Sequence, residues 1–72
     1  METRIFNRTL RVHSSDGRRA ETFVRGEGVR HIRRLGKGVI FEPVDPRHVA
    51  GTYSMSWSEF EANTSAVRDA QA

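Results

Sequence analysis

The residues with the most evident chemistry in this chain are its cations. Arg25, Arg30, His31, Arg33, Arg34 and Lys37 fall close together, and Arg18, Arg19 and Arg47 can join them across a sheet. Among the 12 basic residues only Lys37 is a lysine. The planar guanidinium fork matches phosphate and carboxylate better than an ammonium does. A surface of this kind is what phosphate contact requires, with affinity that falls steeply with salt. It also suits an interface centre for an acidic protein, where arginine is enriched. Two plainer readings stand beside these. Charge on a strand face guards a small β domain against edge-to-edge aggregation, and a GC-rich genome supplies arginine codons whatever the function. The expected partner-binding residues are therefore Arg18, Arg19, Arg25, Arg30, Arg33, Arg34, Lys37 and Arg47.

Catalytic chemistry has little to build on. His13, His31 and His48 have no cysteine and no companion at metal-ligand spacing, and no nucleophile is set beside a base. They read as surface histidines on strands and a turn. Gly26-Glu27-Gly28 and Gly36-Lys37-Gly38 lack the strand-turn-helix setting and the remaining glycine or GK[ST] of a phosphate loop, so both read as turns. No enzyme, cofactor or metal site is expected.

These side chains need a scaffold, and 72 residues supply one small domain. Such a chain buries only roughly 60% of the surface its unfolded form exposes, and without cysteine no disulfide or zinc staple is at hand. Self-association is a plausible supplement. Absence of cysteine suits a reducing compartment, no apolar run reaches membrane-spanning length, and METRIFNRTLRV lacks the apolar centre of a signal peptide. The expectation is a cytoplasmic protein. Charge is uneven: residues 1–48 carry a net +5 and residues 49–72 a net −2.

Alternation places Phe6, Leu10 and Val12 on one face of a first strand over residues 4–13, interrupted by Arg8, with Arg11 and His13 opposite. Asp16-Gly17 supplies the turn to a second strand over residues 20–25. The segment VRHIRRL has a spacing of three that fits a helical face or a short strand. Its position between Gly28 and Gly36 favours a strand, with Val29, His31, Arg33 and Leu35 on one face and Arg30, Ile32 and Arg34 on the other. Gly36-Lys37-Gly38 then turns into VIFE, which Pro43 ends. Thr52–Ser56 forms a fifth strand, and two capping boxes, Ser56 to Glu59 and Ser58 to Glu61, start a helix at 57 or 59. Residues 64–72, poor in apolar side chains, are expected to fray.

The pattern predicts a mainly β (α+β) domain over residues 1–63. About five short antiparallel strands would form a small SH3-like or OB-like open barrel, or a curled sheet, with one C-terminal helix; a two-layer sheet with one helix is the alternative. The expected core is Phe6, Leu10, Val12, Val24, Ile32, Val39, Phe41, Tyr53, Met55, Trp57 and Phe60; a core this small needs most of the aromatics, so at best one, Tyr53 or Phe23, is free to stack. Two functions follow. One is a basic, non-enzymatic nucleic-acid-binding accessory or regulatory module. The other is a small protein-binding inhibitor or adaptor of the sort that phages and plasmids encode to block a host complex. If the protein is a homodimer, the edge of Val29–Leu35 is the expected contact.

Overall fold

The computed structural model describes residues 3–67. The elements in chain order are β1 (Arg4–Phe6), β2 (Leu10–Ser14), β3 (Ala20–Phe23), β4 (Gly28–Leu35), β5 (Gly38–Pro43), β6 (Tyr53–Ser56), α1 (Trp57–Asn63) and β7 (Thr64–Ala66). The seven strands form one antiparallel sheet in the order β3-β2-β6-β5-β4-β1-β7, curled into a half-barrel with the short helix beside it. The mainly β expectation holds, with two more strands than predicted.

Both additions come from the chain ends. The expected first strand is two: Asn7-Arg8-Thr9 breaks the run, so β1 pairs with β4 and β7 while β2 pairs with β3 and β6. Had residues 4–13 run straight, Arg8 would have faced the core with Phe6 and Leu10; the break leaves Arg8 exposed. At the other end Thr64–Ala66, expected to fray, pairs with β1 through Arg4↔Ala66 and Phe6↔Thr64. The Thr64 hydroxyl donates to the Phe60 carbonyl at 2.6 Å and accepts from Arg4 Nε at 2.8 Å. Backbone pairing and this polar anchor replace the apolar pattern that the segment lacks. The rest of the expected tail, 68–72, lies outside the described residues.

The Asp16-Gly17 hairpin forms as expected, with Gly17 at φ +75° and Asp16 accepting from the Ser14 hydroxyl at 2.5 Å and the Arg18 amide at 2.9 Å. At the β4–β5 turn Gly36 takes φ +60°. The helix starts at the earlier of the two boxes: Ser56 caps it, accepting from the Glu59 amide at 3.3 Å.

Eight side chains make the core: Phe6, Val12, Phe23, Val29, Val39, Phe41, Tyr53 and Phe60. Leu10, Ile32, Met55 and Trp57 pack around it half-buried, and Val24 is 43% exposed. The register explains the exchange of Val24 for Phe23. Leu10↔Phe23 sets Phe23 on the face that already holds Leu10 and Val12, and strand alternation sends Val24 outward. Phe23 and Tyr53 are both fully buried, so neither is the free aromatic.

Candidate functional site

The cationic surface depends on one irregularity in β4. Its register against β5 runs Val29↔Pro43 and Arg30↔Glu42, then Arg33↔Ile40, Arg34↔Val39 and Leu35↔Gly38. One extra residue is thus accommodated at His31-Ile32, and His31 takes φ +56°, the left-handed region that a non-glycine residue enters at a cost of about 1–2 kcal/mol. Such a bulge resets the alternation. Val29 and Ile32 face the core before and within it, while beyond it Arg34 shares the inner face with Val39, and Arg33 and Leu35 join Arg30 outside. The sequence pattern gave Arg33 the face of Val29 and put Arg30 with Ile32 and Arg34. An uninterrupted strand would have turned Arg33 inward, so the bulge resolves the poor pattern of VRHIRRL.

On the outer face the ladders run Arg33–Ile40–Ser54–His13 across β4, β5, β6 and β2. Arg11 stands two residues along from His13, and Arg30 lies on the same face of β4. His13 and Arg33 are three strand intervals apart, about 14 Å at the usual spacing. Arg11, His13, Arg30 and Arg33 are all exposed and, among the described residues, engage no ion pair. Glu42 is the cross-strand neighbour of Arg30 and makes no ion pair with it.

At the β4–β5 end the arrangement changes. Arg34 lays its guanidinium over the Trp57 ring, 4.7 Å from the centroid, and its Nε donates to the Gly36 carbonyl at 3.3 Å. With Lys37, Ser56 and Ser58 these two residues line a niche of about 300 Å³. Trp57 is held from behind by Phe60, ring centroids 5.8 Å apart, and its amide donates to the Lys37 carbonyl at 2.7 Å.

The remaining predicted cations sit elsewhere. Arg18 and Arg19 occupy the β2–β3 hairpin at the opposite end of the sheet, where Ser15 pairs with Thr52 and Arg19 reaches toward Gly51. Arg47, in the β5–β6 loop, is engaged with Asp45, its Nη2 2.6 Å from Oδ2 and its Nε 3.0 Å away. Hydrogen bonds from Arg47 hold the Asp45 carboxyl down to about 2. Arg25 lies in the β3–β4 turn, exposed. The predicted set therefore divides: Arg30 and Arg33 on the outer face, Arg34 and Lys37 at one end, Arg18, Arg19 and Arg47 at the other, and Arg25 apart in the β3–β4 turn.

Three features escaped the sequence reading. Arg11 and His13 add to the outer band from β2, which becomes visible only once β6 and β5 are known to lie between β2 and β4. Trp57 is half-buried beneath an arginine. And His48, read as a surface residue, is clamped between two carboxylates. Its Nδ1 meets Glu21 Oε1 at 2.5 Å, its Nε2 meets Glu27, and its ring stacks on Phe23 at 4.1 Å and 17°. Both ring nitrogens facing acceptors fits the doubly protonated imidazolium. Val12↔Glu21 puts Glu21 on the inner face of β3, so a carboxylate turned toward the core has found its cation in the loop above. No sequence spacing links positions 21, 27 and 48.

Among the described residues no group of His, Cys, Asp or Glu could hold a metal ion, and no helix is long and apolar enough to cross a membrane. No family model, curated protein or solved structure matches the chain.

Proposed function

We propose that this chain is a non-enzymatic nucleic-acid-binding module whose outer sheet face contacts phosphates through Arg11, His13, Arg30 and Arg33. The observation that carries the reading is the β4 bulge. A left-handed histidine is an unfavourable conformation, and its consequence is to keep Arg33 beside Arg30 in solvent without an acidic partner. A band whose only purpose was a solvated surface could be met by cross-strand ion pairs; here Arg30 and Glu42 stand opposite each other and do not pair. Phosphates arrayed along a backbone suit cations spaced over one face.

The test is fluorescence anisotropy of labelled random-sequence single-stranded and duplex oligonucleotides at about 50 and 200 mM salt. The three arginine contacts to phosphates of a single strand give a logarithmic salt slope of about −2.1, hence an affinity loss of about 18-fold across that range. Replacing Arg30→Gln and Arg33→Gln together removes two contacts and makes the slope shallower by about 1.4, whereas Arg18→Gln with Arg47→Gln, at the far end, leaves it nearly unchanged. No binding by either kind of oligonucleotide at the lower salt would retire this reading in favour of an acidic protein partner, the inhibitor or adaptor function.

A further inference from the structure

The aromatic inventory of the fold leaves one ring in position to meet a ligand. Phe6, Phe23, Phe41, Tyr53 and Phe60 are all buried to within 1% of full coverage, while Trp57 is only half-buried and opens onto the niche between Arg34, Lys37, Ser56 and Ser58. The niche lies at the β4–β5 turn, at the end of the strand that carries Arg30 and Arg33. β1 pairs with β4 only at Gly28 and Val29, so beyond Val29 β4 is a free edge among the described residues. Arg30 and Arg33 lie on the outer side of β4, whereas Arg34, on its inner side, sets its guanidinium over the indole. Among the described residues, a flexible chain laid along the outer face of β4 can pass round the β4–β5 turn to the niche without meeting another strand.

We infer that the Trp57–Arg34 stack is a base-stacking platform and that the ligand of the proposed interface is a single strand with unpaired bases. The inference rests on the phosphate-contacting role of the outer face. An arginine whose guanidinium carbon sits 4.7 Å over an indole centroid and whose side chain is exposed leaves its other side open to a base. Such stacking tolerates any base, since each offers a π-face. Lys37, at the tip of the β4–β5 turn, supplies a cation for the phosphate next to the stacked base, and the Ser56 and Ser58 hydroxyls can hydrogen-bond its edge. A niche of about 300 Å³ is at the small end of ligand sites, fitting one base in place of a paired and stacked duplex end.

Trp57 is the sole tryptophan, so intrinsic emission reads the niche directly. The experiment compares a short labelled oligothymidylate with the abasic deoxyribose-phosphate strand of the same length at about 50 mM salt, by anisotropy and by Trp57 emission. Oligothymidylate is expected to bind about tenfold or more tightly than the abasic strand and to quench Trp57, as stacking of even one base implies. Arg34→Lys keeps the charge and loses the stacking plane; it should erase most of the preference while leaving abasic affinity as it was. Equal binding of both strands with unchanged emission, or a preference that survives Arg34→Lys, would overturn the platform and leave the phosphate-contacting face standing. Binding of neither strand would remove that face and the platform together.

Discussion

Replacing Phe23 with alanine is expected to leave little folded protein at room temperature. The ring is the hub of the core: its centroid lies 5.2 Å from Phe6, 5.3 Å from Tyr53, 6.2 Å from Phe41 and 4.1 Å from the His48 imidazole, and none of it reaches solvent. Phe→Ala in a packed core costs about 3–5 kcal/mol from lost transfer energy and the cavity left behind. A 72-residue domain has about 4–11 kcal/mol in total at the usual stability per residue. At the lower end of that range the substitution removes the whole of it. Urea titration followed by circular dichroism would show either a transition shifted almost to zero denaturant or no cooperative transition. A loss below about 1 kcal/mol, the size expected for a surface change, would mean that Phe23 is not where the sheet closes on itself.

The Phe23 result also marks where sequence reasoning stops. Phe23 and Val24 are adjacent, and alternation says only that one is in and the other out; the choice needs the partner, and Leu10↔Phe23 makes it. Val39, Phe41 and the Ser56-capped helix were legible because each carries its own signal: an unbroken apolar run, a capping box, a proline that stops the strand. β4 was legible as a strand but not in its facing, because a bulge shifts the phase midway and the only local hint is an awkward pattern. β7 carried no hint at all, since its stability comes from pairing with β1 across almost the full length of the chain. The cationic residues of β4 were found by type, whereas their grouping with Arg11 and His13 follows from the order of strands in the sheet.

The clamp on His48 is the clearest case of a feature created only by folding, and it makes stability depend on pH. Burial of the ring opposes its charge, but the hydrogen bonds that it donates to Glu21 and Glu27 outweigh it, and the pKa rises above its ordinary 6.5. Other charged groups nearby are Asp45 and Arg47, which satisfy each other, and Arg30 and Glu42, which line the same loop cavity. A histidine that binds its proton more tightly when folded contributes stability below pH 6.5, and that contribution disappears as pH rises through the raised value. Glu21 behaves oppositely. Its hydrogen bond to His48 lowers its pKa from 4.5, so its contribution is present above 4.5 and is lost as pH falls through the lowered value. The domain should therefore be most stable between 4.5 and 6.5 and weaken on the alkaline side. His48→Ala leaves two inward-leaning carboxylates without their cation and uncovers Phe23. We expect a loss of about 2–3 kcal/mol near pH 6, somewhat less than orphaning a fully buried ion, and a stability that no longer declines above pH 6.5. Thermal melts of both proteins across that range decide the matter. An unmodified protein equally stable at about pH 6 and pH 9 would mean that His48 is not held as the imidazolium. The loop that presents it would then be kept in place by its Phe23 stack and by the Tyr53 hydroxyl, which donates to the Val49 carbonyl at 2.9 Å.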